Sequence, residues 1–371
     1  MKIRKLDKTE HLRTKALYQE VFPEDSQAFV DYYYQYKAAE NHIYAVEDAQ
    51  GEILSMLHLN PYQINLSDRL VSSHYIVAVA TREEWRHQGM MRSLLKRALT
   101  DMYTQKERFT FLMPAAEAIY RPFGFHFIYR QNQKVIAGKA STGNDSVWCR
   151  PAQIGDLETL SAFASNYLHE KYCVYALHTS AYFKQLLAEQ SAQNGQVILI
   201  LENQRICGYF FCGVEKETSV REAVIEARYE ACLWSVIADY LKEHEKIRVL
   251  GFSPPLVAEK TKQVPVIMAR IIHLEAMLNA LKATAPVFLQ INVKDDLLAE
   301  NTGLYELKID ENGCSPEKKP VEFDEFTVSI GELTALLFGN VTMEELDAPE
   351  HVREAWGKLA RFHPVFLNEV V

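Results

Sequence analysis

The sequence predicts a mixed α/β protein, an α/β (α+β) chain made of one unit followed by a partial repeat of it and a smaller α+β C-terminal domain. Three observations lead there. The chain has 371 residues, more than one ordinary hydrophobic core accommodates. Alternating apolar runs are interleaved with segments at helical spacing. The element order of the first unit recurs in outline beyond a polar stretch at Gly138–Ser146. Hydrophobic residues make up 48% and charged residues 24% of the chain, a globular rather than disordered balance. A net charge of -9 excludes the basic footprint that nucleic-acid binding requires.

The first unit spans residues 1–137. Residues 9–22 and 26–38 read as helices, with Leu12, Ala16, Leu17 and Val21 at helical spacing. "HIYAVED", "GEILSMLHLNPYQI" and "RLVSSHYIVAVAT" read as strands, the first two joined by a turn at Gly51. A helix from Gly89 to Thr104 follows, then the strand "RFTFLM", the segment "PAAEAIYR" and the strand "FHFIYRQ", with Pro122 and Gly124 at the last join. The linker Gly138–Ser146 leads to a second unit, residues 146–264. It holds two helices, a hairpin around Asn203, a third strand "AVIEARY", the helix "ACLWSVIADYLKEH" and the strand "KIRVLGF". Nothing in it matches the turn Arg86–Met91 of the first unit, so its expected role is structural. Residues 265–371 change composition again and read as the α+β domain. Its end, "ARFHPVFLNEVV", stays apolar through Phe366, Leu367, Val370 and Val371, so a docked terminus is expected.

The segment with chemical content is "VATREEWRHQGMM". An alternating strand ends at Thr81, and a helix opens directly at Gly89. Helix N-termini present unpaired N–H donors and a partial positive charge, which suit phosphate oxygens. Gly89 removes a Cβ where a pyrophosphate would approach the backbone. Between Thr81 and Arg108 seven cations face four carboxylates, a local excess against the acidic whole. Two readings stand on pattern alone: a phosphate cradle, or an ordinary strand–turn–helix with a solvated charged face.

Arg86-His87-Gln88-Gly89-Met90-Met91 resembles the acetyl-CoA signature Q/R-x-x-G-x-G/A of GCN5-related N-acetyltransferases (GNAT). Met91 departs from its last position, as in the branch named for enhanced intracellular survival (Eis). "FLMPAAEAIYRPFGF" is similar to the Y-x-x-F-G segment of that branch, with Tyr120, Phe123 and Gly124 in place and 31 residues from Gly89 to Tyr120. The likeness extends over the chain and implies tandem GNAT domains with mixed central sheets, the second degenerate, followed by a sterol-carrier-like domain matched through "MARIIHLEAML" and "NTGLYEL".

What the resemblance implies is an acetyl-CoA-dependent N-acetyltransferase acting on a primary amine such as an aminoglycoside, a polyamine or a lysine side chain. Val79, Ala80 and Thr81 would pair with the pantetheine amides. His87, Gln88, Gly89, Met90, Met91 and Arg92 would hold the pyrophosphate, and Ala115 and Ala116 would flank the thiol end. Tyr120 would protonate the departing sulfur, a fitting acid because a tyrosine pKa of ~10 lies above that of a thiol, ~8.5. The alternative for Tyr120 is aromatic packing against Phe123 and Phe125. The carboxylate of Val371 would take the amine proton, with Glu369 as the second candidate and simple docking of the terminus as the structural alternative.

The resemblance also implies a homo-oligomer, a hexamer in some relatives. A non-catalytic acyl-CoA- or lipid-binding module is the competing function. Glu24 and Asp25 are candidate cation binders, with helix capping around Ser26 as the stronger reading. His74 and His126 read as satisfied histidines rather than catalytic ones. The six cysteines show no metal or paired spacing, so no metal site is expected. The first residues form no signal peptide and no window approaches the length of a membrane span, so a cytoplasmic protein that does not contact a membrane is expected.

Overall fold

The computed structural model describes residues 1–137, 147–214, 218–253, 261–320 and 326–369. The expected linker 138–146 and the expected base Val371 lie outside the described residues. In the first unit, strands β1 (Lys2–Lys5), β2 (His42–Glu47), β3 (Ile53–Leu66), β4 (Arg69–Thr81), β5 (Phe109–Leu112) and β6 (His126–Ala137) are joined by helices α1 (Lys15–Val21), α2 (Gln27–Tyr32), α3 (Met90–Thr104) and the one-turn α4 (Glu117–Tyr120). The helix expected over 9–22 begins as a 3-10 turn, Lys8–Thr14, and the one over 26–38 ends in a π turn, Tyr33–Lys37. Ser26 caps α2 by accepting the Phe29 amide at 3.2 Å, the capping role expected of this turn.

The second unit carries β7 (Trp148–Pro151), α5 (Leu157–Lys171), β8 (Val174–Ala176), α6 (Ser180–Ala192), β9 (Gln196–Glu202), β10 (Arg205–Val214), β11 (Thr218–Ile225), α7 (Leu233–Tyr240) and β12 (Lys246–Phe252). It is followed by β13 (Lys262–Ile271). The two central sheets are fused. A single mixed sheet runs in the order β1-β2-β3-β4-β5-β13-β6-β12-β11-β10-β9-β7, with β8 branching onto β3. The junction is β6, which pairs with β12 on one side and β13 on the other.

The third unit contributes a separate four-stranded sheet ordered Cys314–Lys319, Gly303–Ile309, Val287–Lys294 and Thr327–Ser329. Its helix Ile330–Leu337 packs on β6 and β13. The chain then returns to the large sheet, where Val365–Phe366 pairs in parallel with β8. Phe366 lies between Tyr172 and Tyr129, ring centroids 4.9 and 6.0 Å away, and Leu367 is fully buried. Phe366 and Leu367 thus dock the end of the described chain, while Val370 and Val371, on which the expected docking also rested, lie outside the described residues.

One buried ion pair locks these units together. Arg270 of β13 donates through Nη2 to both oxygens of Asp295 at 2.6 Å and through Nη1 to the Phe123 carbonyl at 2.5 Å. Both side chains are essentially without solvent exposure. Asp295 also accepts the amides of Leu297 and Leu298. Gly124 adopts φ +77°, and a Cβ there would stand 2.3 Å from Arg270 Nη1. Breaking a buried pair from one side strands the remaining charge. Asp295→Ala is therefore expected to lower unfolding free energy by about 3–5 kcal/mol, read from urea denaturation midpoints. The paired change Arg270→Met with Asp295→Leu should recover only part of that loss, because the Leu297 and Leu298 amides and the Phe123 carbonyl stay unpaired.

Candidate active site

The site begins as a fork between two strands. β4 and β5 run parallel but pair only at Tyr75 and Phe111. Below that point two side-chain bonds close the gap: Ser73 Oγ donates to the Phe109 carbonyl at 2.8 Å, and Thr110 Oγ1 to the His74 carbonyl at 2.6 Å. Above it β4 bulges. Ala78 takes φ +48°, and the register against β3 shifts between Met56 and His58. β5 meanwhile is held on its far edge by β13 through four successive pairs. The second unit offers the contrast, since its parallel strands β11 and β12 remain paired from Thr218–Ile247 to Ala223–Phe252. The first unit is open where the second is closed.

Val79, Ala80 and Thr81 lie on the opened half of β4. Ala80 and Thr81 pair with Met56 and Ser55 on the β3 side, leaving the other edge of this half free for an extended peptide-like chain. The turn then passes through His87 (φ +63°) and Gly89 (φ +78°) into α3. Gly89 is the cap residue and no side chain caps α3. The amides of Met90, Met91 and Arg92 thus occupy the first turn, where a helix supplies no acceptor of its own. A Cβ on Gly89 would meet nothing within 4 Å, so the approach to these amides is open.

Met90 is anchored in the core beside Leu94 and Leu95, which fixes the helix end, while His87, Gln88 and Arg92 are exposed. Arg86 Nε turns back to the Thr81 carbonyl at 3.3 Å, and the Arg92 guanidinium lies 5.1 Å above the Phe123 ring. Together with the helix dipole this makes an anion-binding corner. Ala115 and Ala116 are exposed in the connection from β5 to α4.

Tyr120 closes α4. Its ring is buried and edge-on to Phe125 at 6.0 Å, the aromatic packing expected of it. Its hydroxyl has no hydrogen-bond partner among the described residues. Burial pushes its pKa up to about 12, which keeps the phenol protonated as a proton donor. Tyr75 stands nearby, its ring 6.1 Å from Tyr62 and 5.1 Å from Phe111. Tyr62 in turn lines a cleft with Lys37, Tyr182, Glu189, Glu222 and Glu369. The line Tyr120–Tyr75–Tyr62–Glu369 thus joins the fork to an acidic cleft between the first two units.

The expected residues of the first unit come together around the fork, and Val371 lies outside the described residues. Glu24 is exposed, and Asp25 accepts the Tyr18 hydroxyl at 2.7 Å. His74 contacts Glu107 at 2.9 Å, and His126 lies beside Arg121, so both histidines have local partners. Sequence reasoning missed Tyr62, Tyr182, His178, Glu189 and Glu222. These sit on strands, helices and the β8–α6 connection, distant in sequence, and none belongs to a motif.

Residues 2–128 match the family model of the acetyltransferase (GNAT) domain. Residues 274–370 match that of the sterol carrier protein domain. Among solved structures the chain is similar to a probable N-acyltransferase from Enterococcus faecalis, at 16% identity, TM-score 0.83, covering 100% of this chain and 99% of that one. It is also similar to a GCN5-related N-acetyltransferase from Anabaena variabilis (16% identity, 99% and 98% covered, TM-score 0.81). Eis1 from Mycobacterium abscessus aligns at 15% identity with 98% and 94% covered and a TM-score of 0.66. Comparison with curated protein sequences gives no match. The chain thus carries a GNAT acetyltransferase domain at residues 2–128 and a sterol carrier domain at residues 274–370. No helix among the described residues is long and apolar enough to cross a membrane.

The helix corner can be tested directly. Gly89→Val adds a branched side chain at positive φ in front of the free amides. The KM for acetyl-CoA should rise on the order of tenfold, about 1.4 kcal/mol of binding, and the thermal midpoint should also fall, because a branched residue is strained at this φ.

Proposed function

We propose that the protein is an acetyl-CoA-dependent N-acetyltransferase that acetylates a primary amine on a cationic acceptor, of the aminoglycoside, polyamine or lysine-like class. The observation that carries this reading is the fork itself. A free strand edge at Val79–Thr81 leads from the unpaired amides of α3 to a buried, partnerless tyrosine. Pantetheine amides suit the strand edge, and pyrophosphate oxygens suit the helix amides. The thioester then falls at the closed end, near Tyr75 and Tyr120. Three buried carboxylates, Glu189, Glu222 and Glu369, line the adjoining cleft with Lys37 and Arg221. An ammonium on the acceptor fits that wall.

In the transfer the amine nitrogen forms a bond to the thioester carbonyl carbon and the carbon–sulfur bond breaks. Tyr120 gives its proton to the departing sulfur. The amine proton passes to Glu369, one of the three described carboxylates that line the cleft and the one nearest the chain end; the Val371 carboxylate is the further candidate for this step. With burial holding the Tyr120 phenol protonated, its role as acid persists through pH 10. Homo-oligomer formation through an unassigned surface remains part of this proposal.

Tyr120→Phe should lower kcat for amine-dependent thiol release by roughly 10²–10⁴-fold while the KM for acetyl-CoA stays within about twofold. Stabilisation by CoA without turnover over a panel of amines would instead support an acyl-CoA-binding module.

A further inference from the structure

Behind the acidic cleft lies a histidine that the transfer step does not itself require. His178 follows β8, and its side chain is 1% exposed. Its ring is held by two aromatic neighbours. Tyr182 stacks on it at 4.3 Å and 11°, and Phe183 meets it edge-on at 5.7 Å. Its two nitrogens meet carboxylates from different parts of the chain. Nδ1 lies 3.2 Å from Glu222 Oε1, and Nε2 lies 3.7 Å from Glu369 Oε1. Glu222 also accepts the Tyr209 hydroxyl at 2.9 Å, and the other Glu369 oxygen faces the Tyr182 hydroxyl at 3.4 Å.

A neutral imidazole offers one donor and one acceptor. Nδ1 also lies 3.3 Å from the Tyr209 hydroxyl, and at 3.7 Å the Nε2–Glu369 contact is a charge pair rather than a hydrogen bond; an imidazolium suits carboxylates on both sides. Burial pulls His178 down, but the Glu222 and Glu369 charges more than offset it, and the ring ends above its ordinary range. Burial, opposed by His178 and reinforced by Glu369, pushes Glu222 up to about 7. The backbone reinforces the arrangement. Glu222 adopts φ +51° on β11, a costly conformation for a side chain with a Cβ. A structure that accepts this cost to aim one carboxylate at one histidine has over-determined that contact.

We infer that His178 is a positioning residue of the transfer reaction: its ring, clamped between Glu222 and Glu369, orients the Glu369 carboxylate into the cleft and compensates its charge. This rests on the reading of Glu369 as acceptor of the amine proton. The remaining groups around the cluster are of two kinds. Tyr62 from β3, Tyr75 from β4, Tyr129 from β6, Tyr182 from α6 and Tyr209 from β10 are all raised by burial and stay neutral. Charge is left to Glu189, itself raised by burial, and to Lys37 and Arg221 at the cleft wall. His178 is therefore the cation in direct contact with both Glu222 and Glu369.

The test is the pH dependence of kcat/KM for an acceptor whose amine pKa lies above the range measured. Its own ionisation then contributes a constant slope, and the break at low pH belongs to the enzyme. His178→Gln should lower kcat/KM for the amine by roughly 10–100-fold near neutrality, leave the KM for acetyl-CoA within about twofold, and move the break up by about one pH unit. Adding Glu222→Gln to that variant should move the break back down. Glu222→Gln alone, which leaves His178 untouched, should move it below the wild-type position. Loss by one factor at every pH, with the break unmoved in all three variants, would make His178 merely structural and overturn the inference. Glu369→Gln separates the premise: full activity there would remove Glu369 as acceptor, and the role of His178 with it. Loss of the break in Glu369→Gln beside an unmoved break in His178→Gln would sink the inference alone.

Discussion

The site depends on one geometric constraint: β4 and β5 are held together at a single residue pair and apart beyond it. Ser73 and Thr110 pin the closed end with bonds to the opposing strand's carbonyls. Each strand's other edge is committed, β4 to β3 and β5 to β13. Neither can swing over to close the gap, because doing so would break a ladder already made. Burying unpaired backbone groups is costly, so an edge left open this way stands ready for a ligand that brings its own amides. The bulge at Ala78 turns the strand without losing its pairing to β3.

The strand that holds β5 in place comes from far down the chain. β13 begins after the second unit and ends at α8 (Leu274–Leu278), the entrance to the sterol carrier domain. Its Arg270 reaches both Asp295 in that domain and the Phe123 carbonyl three residues after Tyr120. The final described segment likewise returns to the cleft, where Asn368 accepts from Gln131 at 2.7 Å and fills the space left by Gly251. The third unit thus supports the site of the first from two directions. The site is complete only when all three units have docked, so removing the C-terminal unit removes structure around Tyr120 and not merely an appendage.

Much of this was legible in local sequence. Gly89 before an amphipathic run, Tyr120 before Phe123-Gly124, and the Ser26 cap each have a short-range signature. The apolar tail also foretold docking, and Phe366 and Leu367 are buried. What escaped was set by distance or by backbone irregularity. β1 has no alternating apolar pattern; it exists because its backbone completes the edge of β2, with Arg4 held between Glu10 and Glu47. The insertion of β13 between β5 and β6 is a pairing of segments over a hundred residues apart, which periodicity cannot encode. Glu222 falls just before the expected strand "AVIEARY", and its inward aim follows from positive φ beside a register shift. His178, Tyr62 and Tyr182 acquire meaning only from the carboxylates that folding places against them.

On the proposed reading, the open half of β4 and the first turn of α3 together hold the acyl donor. Amide hydrogen exchange with and without saturating acetyl-CoA tests it most directly. Exchange should slow about tenfold or more at saturation within Val79–Thr81 and at Met90–Arg92, with the closed pair β11–β12 unchanged. Protection confined to other segments, with these amides exchanging at the same rate in both states, would contradict it.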